Sequence, residues 1–208
     1  MKTLIIIDVQ NDFCPGGSLP VTDGDKIIPI INSIQEKFDL IVATQDWHPP
    51  THMSFASNHE GKKPFDVLFN DDGTVQQVLW PDHCVQGYHG AEFHPDLNVD
   101  LISGIIRKGM NKQVDSYSGF FDNNHNNPTG LLGFILEFSQ EENNELYVVG
   151  LAADYCVNFT IIDAIDYGSD VTLIEDATKP VDYENYIQSV RPSLVNKGCK
   201  FIQSNEIL

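Results

Sequence analysis

Basic side chains are scarce in this 208-residue chain, where 12 Lys and Arg stand against 30 Asp and Glu for a formal net charge of −18. So acidic a surface repels phosphate backbones and anionic bilayers, which argues against nucleic-acid and peripheral-membrane roles. Long hydrophobic runs are also missing. No stretch reaches the roughly 20 apolar residues of a transmembrane helix. The first apolar run, residues 4–7, stops at Asp8, short of the roughly 7–15 residues of a secretory signal core. Cysteine is sparse and scattered: Cys14, Cys84, Cys156 and Cys199 form no Cys-x-x-Cys pair. This reads as reduced thiols in a cytoplasmic protein rather than a disulfide scaffold. What the chain does have is enough apolar matter for a core, with 41% hydrophobic and 10% aromatic residues. That excludes intrinsic disorder. With no repeat, low-complexity tract or linker, one domain over 1–208 is the expectation.

Short apolar runs at residues 3–7, 40–43, 101–102 with 105–106, 146–149, 171–174 and 200–202 read as strands, several too continuously apolar for a one-sided sheet. Between them, residues 24–37, 129–140, 156–167 and 183–197 carry helix-period apolar positions such as Ile27, Ile30, Ile31 and Ile34. Alternation of this kind predicts βαβ units: an α/β protein with a buried parallel sheet between helices. Residues 46–100 break the pattern, with prolines at 49, 50, 64, 81 and 95 and little periodicity. So long an irregular segment in a compact domain points to a functional loop region, here for metal and substrate.

In an open α/β sheet, ligands bind beyond the carboxyl ends of the strands. Asp8 ends the first run, Asp46 and His48 follow the second, Lys108 follows the third, and Cys156 comes shortly after the fourth at the start of a predicted helix. Each has an ordinary structural reading, as a cap, a solvated amine or a small buried hydrophobe. Their joint placement on one edge favours chemistry. Cys156, at a helix N-terminus with a Lys nearby, has two features that favour a nucleophilic thiolate. Asp8 is placed to take the thiol proton and return it to a leaving amine. The small-residue turn Gly150-Leu151-Ala152-Ala153 offers backbone N–H groups to an oxyanion. Together these specify acyl transfer. Asp46 and His48, two apart in an extended chain, point to the same side and suit one metal ion. His83 is the best-placed third ligand, with His52, His59, Glu60 or water as a fourth. Phe13, Trp47, Trp80 and Tyr117 would suit a flat aromatic substrate.

The blocks Asp8-Val9-Gln10-Asn11-Asp12-Phe13, Gln45-Asp46-Trp47-His48-Pro49, Ser54-Phe55-Ala56, Trp80-Pro81-Asp82-His83-Cys84-Val85, Asp115-Ser116-Tyr117-Ser118-Gly119 and Asp154-Tyr155-Cys156-Val157 closely resemble the nicotinamidase/pyrazinamidase family of isochorismatase-like cysteine hydrolases. The resemblance implies a three-layer αβα fold with a six-stranded, mostly parallel sheet. It implies hydrolysis of nicotinamide to nicotinate and ammonia in NAD salvage, and of pyrazinamide. By position it makes Cys156 the nucleophile, which carries a thioacyl intermediate, Asp8 the acid and base, and Lys108 the third catalytic residue. Asp46, His48 and His83 match metal ligands, with Ser54 acting through a water. Phe13, Trp80 and Tyr117 match the substrate-binding aromatics, and the N–H groups of Ala152 and Cys156 match the oxyanion hole. A cis peptide is implied at Leu151-Ala152. One divalent ion per chain is expected, zinc first, with iron and manganese as alternatives; the partner is a small molecule, and monomer and homo-oligomer both stay open. The chain departs from the family's Gly-x-Ala-Thr-Asp pattern at Ala153. The rival readings are a related amidohydrolase of N-carbamoyl or ureido substrates, which has no use for the metal set, and a non-catalytic acidic metal-binding protein.

Overall fold

A computed structural model describes residues 1–138 and 145–207. In chain order its elements are β1 (Lys2–Ile7), α1 (Ile28–Ile34), β2 (Leu40–Asp46), β3 (Val67–Phe69), β4 (Val75–Val78), β5 (Gly104–Lys108), α2 (Leu131–Phe138), β6 (Glu145–Leu151), α3 (Cys156–Asp166), β7 (Asp170–Lys179), α4 (Tyr183–Asn185), α5 (Arg191–Asn196) and β8 (Lys200–Ile202). Six strands form one sheet in the order β5-β2-β1-β6-β7-β8, and every pairing in it is parallel. The sequence expectation of a mostly parallel sheet is met.

The period of the central strand decides the layers. Leu4 and Ile6 face one side of β1, Ile5 and Ile7 the other, and all four are fully buried. The Leu4 side packs with Ile41, Val149 and Ile174 against Ile28, Ile31 and Ile34 of α1. The Ile5 side packs with Val42, Val148 and Leu173 against Leu131 and Ile135 of α2, Val157 and Ile161 of α3, and Leu194 of α5. Among the described residues, α1 is the regular helix on the first face, and the layer is completed by Trp80, Cys84, Ala91 and Leu97 from the irregular segment.

Several boundaries differ from the sequence reading. The window 24–37 is α1 flanked by the 3-10 turns Gly24–Ile27 and Gln35–Lys37. The window 129–140 begins as α2 at Leu131, and its positions 139 and 140 lie outside the described residues. The window 183–197 runs from α4 through a π turn, Tyr186–Val190, into α5. Pro192 has no N–H to return to the fourth residue before it, which accounts for a widened turn just upstream. Residues 101–102 are not part of a strand, because pairing with β2 begins at Gly104 opposite Val42. The antiparallel hairpin β3–β4 is an addition to the sequence reading; strands of three and four residues are too short to show a clear period. Among the described residues, no helix is long and apolar enough to cross a membrane.

From β1 the chain steps outward to β2 and β5, then returns to the other side of β1 with β6 and steps outward again to β7 and β8. The loops after β1 and β6 therefore diverge, leaving a crevice at that switch point. Gly150 allows the two strands to close there. Its φ is +110°, and a Cβ would lie 2.1 Å from the Ile7 carbonyl oxygen.

Candidate active site

The crevice holds Asp8, one residue past β1, and Cys156, the first residue of α3. Lys108 and Asp46 are paired partners at the ends of β5 and β2. All four are buried. The Lys108 ammonium is the hub: Nζ lies 2.6 Å from Asp46 Oδ1, 2.8 Å from Asp8 Oδ2, 2.9 Å from the Ser116 carbonyl oxygen and 3.4 Å from Cys156 Sγ. Thr44 completes the support of Asp8. Its hydroxyl donates to Asp8 Oδ1 at 2.6 Å and accepts from the Asp8 N–H at 3.2 Å. Thr44 is a contributor that the sequence reading missed; its only signal was standing two positions before Asp46 on the same side of β2.

Burial governs the electrostatics of this knot. It raises the Asp8 carboxyl above its usual range, with Asp46 adding to the effect and Lys108 and Thr44 opposing it. For Lys108, burial alone would favour the neutral amine, but Asp46, Asp8 and Cys156 outweigh it and hold the ammonium well above its ordinary value. Burial likewise works against the Asp46 carboxylate, and Lys108 and His48 overcome it to hold the group well below its usual range. The Cys156 thiol is pushed well above its ordinary value by burial first; Lys108 opposes this, while Asp8, Asp46 and Asp115 reinforce it. Two carboxylates, Asp8 and Asp46, share the Lys108 ammonium, so burial works against the thiolate that the helix N-terminus and the nearby Lys favour.

Beside this knot, Asp46, His48 and His83 form a buried group whose ligand atoms lie within 4.8 Å of one another. Asp46 divides its oxygens, Oδ1 to Lys108 and Oδ2 toward His48 Nε2 at 3.5 Å and His83 Nε2 at 3.8 Å. The Nδ1 atoms of both rings engage carbonyl oxygens, His48 with Gly109 at 2.9 Å and His83 with Pro81 at 2.8 Å. Held so, each ring donates from Nδ1 and turns Nε2 toward the Asp46 carboxylate, the orientation of metal-ligating imidazoles. His48 Nε2 is buried and has no hydrogen-bond partner. An orphaned acceptor facing a carboxylate and a second imidazole is what a divalent cation would satisfy. Gly109 makes room for this: its φ is +65°, and a Cβ would lie 2.3 Å from the His48 ring.

The irregular segment brings these ligands together by short backbone pairings. His48 donates its N–H to the Cys84 carbonyl and accepts from the Gln86 N–H, a one-residue parallel bridge that carries His83 to the side of His48. Trp80 is similarly paired to the Ser54–Ala56 stretch. Asp12 accepts from the N–H groups of Cys84 and Ser18 at 2.7 and 3.1 Å, which ties the Phe13 turn to the His83 turn.

The other candidates separate under this geometry. His52 lies in the site, its ring 4.3 Å from that of His48, but its Nδ1 is engaged by Ser54 Oγ at 2.7 Å. Burial, then the neighbouring His48, lowers its pKa to about 4, so it is neutral. Ser54 accordingly meets the cluster through His52. His59 is turned to the Met53 carbonyl and Glu60 is exposed, so neither joins the group. Asp115, quoted in the sequence motif but given no role, is buried with Oδ1 4.0 Å from His48 Nε2. No strand end pointed to it.

Cys156 shares a cavity with Phe13, Trp80, His83, Tyr117 and Tyr155, and Asp46 and Asp115 also line it. Trp47 is not on this wall: its ring carries the Arg107 guanidinium at 3.8 Å. Val181 closes one rim, and Asp154 holds it there by accepting from the Val181 and Asp182 N–H groups, both at 2.8 Å. The Leu151-Ala152 peptide is cis. As the first residue of α3, Cys156 has an N–H with no acceptor inside the helix. Ala153 is buried, and its N–H is bonded to the Lys179 carbonyl.

Residues 2–193 match the sequence family described as the isochorismatase domain. The chain is 46% identical over 205 residues to a nicotinamidase of Acinetobacter baylyi, covering 99% of this chain and 94% of that protein. Among solved structures, a nicotinamidase and pyrazinamidase of Acinetobacter baumanii is similar with a TM-score of 0.92 at 46% identity, covering 100% of this chain and 98% of that one. A pyrazinamidase of Pyrococcus horikoshii in complex with zinc is similar with a TM-score of 0.77 at 36% identity, over 97% of this chain and 98% of that one.

Proposed function

The chain belongs to the isochorismatase family, and from that premise we propose that it hydrolyses nicotinamide to nicotinate and ammonia, with Cys156 carrying the acyl group between the two half-reactions. The observation that supports this most directly is the buried contact of Lys108 with Asp8, Asp46 and Cys156, facing a cavity walled by aromatic rings. In this reading the pyridine ring lies between Phe13 and Trp80, with its carboxamide toward Cys156. Asp8, made more basic than an ordinary carboxylate by burial, takes the proton from Sγ as the sulfur adds to the amide carbon. The N–H groups of Ala152 and Cys156 receive the developing oxyanion. Asp8 then gives the proton to the amide nitrogen, the C–N bond breaks, and ammonia leaves a thioester on Cys156. Water attacks that thioester; Asp8 accepts its proton and returns it to the departing sulfur, and nicotinate is released. Lys108 keeps Asp8 and Cys156 in register and offsets charge as it moves between them.

Asp46, His48 and His83 would hold a divalent ion, zinc by analogy with the zinc-bound pyrazinamidase. When bound it supplies a Lewis-acid contact for the ring nitrogen and so orients the substrate. That same cluster favours nicotinamide over an N-carbamoyl or ureido substrate, which has no ring nitrogen to present. Pyrazinamide, with the same ring shape, fits as a second substrate. A cytoplasmic setting suits four cysteines that are all free and buried. Ammonia release from nicotinamide by the wild type and Cys156→Ala, measured side by side, tests the proposal. The expected loss is about 10⁴-fold or more with the melting temperature retained, and an active Cys156→Ala protein overturns it.

A further inference from the structure

Gln77 has no place in the scheme above, although its surroundings lead directly to the cavity. It sits on β4, in the hairpin that does not join the main sheet, yet it is 3% exposed while its neighbour Val75 is 60% exposed. A glutamine on a surface hairpin ordinarily faces water. Here Nε2 lies within hydrogen-bond distance of three buried acceptors instead, the Val78 carbonyl at 2.8 Å, the Tyr117 hydroxyl at 3.0 Å and Asp115 Oδ2 at 3.1 Å, which share its two hydrogens. The Trp80 indole N–H donates to the same Tyr117 oxygen at 3.1 Å. The Gln77 amide and the Trp80 indole N–H thus both approach one phenol oxygen within hydrogen-bond distance. The relative placement of the Tyr117 and Trp80 rings is set from two sides, and both rings line the cavity before Cys156.

We infer that Gln77 is a positioning residue for the aromatic wall: by holding the Tyr117 hydroxyl from the hairpin side, it fixes the Trp80 ring against which the substrate lies. It touches no reacting atom, so it sets affinity and leaves bond cleavage alone. The inference rests on the amidase reading of the preceding section. It also gives the hairpin a reason to be packed where it is, since β3–β4 adds nothing to the parallel sheet.

The test compares the wild type, Gln77→Met, Tyr117→Phe and the double variant. Gln77→Met keeps the length of the side chain and removes both donor hydrogens. It is expected to raise KM for nicotinamide about fivefold to tenfold, with kcat within about twofold of the wild type. The dissociation constant for nicotinate, followed by tryptophan emission, shifts by the same factor. Tyr117→Phe removes the shared acceptor and is expected to do the same; if Gln77→Met fails to fold, Gln77→Leu, which also lacks the donor hydrogens, carries the test in its place. Adding Gln77→Met to Tyr117→Phe is expected to cost less than about twofold more, since the two act along one route. A folded Gln77→Met with wild-type KM, a loss in kcat at constant KM, a wild-type KM in Tyr117→Phe, or an undiminished Gln77→Met effect in the Tyr117→Phe background overturns the inference. A wild-type protein that releases no ammonia overturns the amidase reading instead, and the nicotinate-binding measurement still decides the role of Gln77.

Discussion

The strand ends of the parallel sheet and the irregular segment between β2 and β5 deliver side chains to the same crevice by different means. At the sheet, each reactive residue is held by the ladder beneath it: Asp8 follows β1, Asp46 and Lys108 are paired neighbours on β2 and β5, and Cys156 opens the helix after β6. In the irregular segment, position comes from side chains that bind backbone. Gln10 accepts the Asp46 N–H and donates to the Asp46 and Ala91 carbonyls, Gln86 donates to the Trp47 carbonyl, and Asp12 bridges two turns. In the proposed scheme the sheet edge carries the proton-moving groups, with Asp46 shared between them and the metal, while the segment carries His48, His83 and Trp80 toward the ring. Damage at the sheet edge should therefore appear in kcat, and damage in the segment in KM.

The sharpest way to break this division is Asp8→Asn. The amide keeps the shape but cannot accept the Sγ proton, so kcat should fall about 10³-fold with KM within a few-fold of the wild type. A mainly KM effect would dissolve the distinction. The pH profile gives a second view of the same group. Burial raises the Asp8 pKa, and the base must be ionised, so kcat/KM should drop on acidification at a pH above the usual carboxylate range. An acid limb in the ordinary aspartate range would contradict that environment.

The next effect belongs to the other region. His83→Ala, or removal of metal by a chelator, should raise KM for nicotinamide about 10- to 100-fold, with the smaller effect on kcat. Restoring zinc should recover the chelated wild type but not His83→Ala. Unchanged KM after chelation would remove the orienting role. The smallest effect is expected for Gly109→Ala, where the two regions touch. A Cβ there meets the His48 ring at a positive φ, at a cost of about 1–3 kcal/mol. Thermal unfolding should show the loss together with weaker zinc retention, and full stability would mean that the His48 loop yields more easily than its packing indicates.

The sequence was most legible where a residue's place depends on its neighbours along the chain. A run of isoleucines ending in Asp8, or an apolar run leading through small residues to Cys156, announces a strand and what lies at its end, and the switch-point rule then assigns the edge. His83 was harder. Its proximity to His48 rests on the His48–Val85 bridge across 37 positions of chain, and nothing local encodes it. Thr44, Asp115 and Gln77 went unassigned for the same reason, since each acts through a partner remote in sequence. The resemblance of motifs supplied roles for some of these positions, though not contacts.

What the sequence determined by itself is the alternation of strands and helices and the residue types offered at each strand end, because side-chain period and turn chemistry are local properties. The tertiary structure alone decided how charge is distributed among those residues. Lys108 lies between Asp8, Asp46 and Cys156, and their burial raises the proton affinity of both the sulfur and the Asp8 carboxylate. Proton affinity in a site of this kind is set by distance and burial, and both come into being only when the strands close.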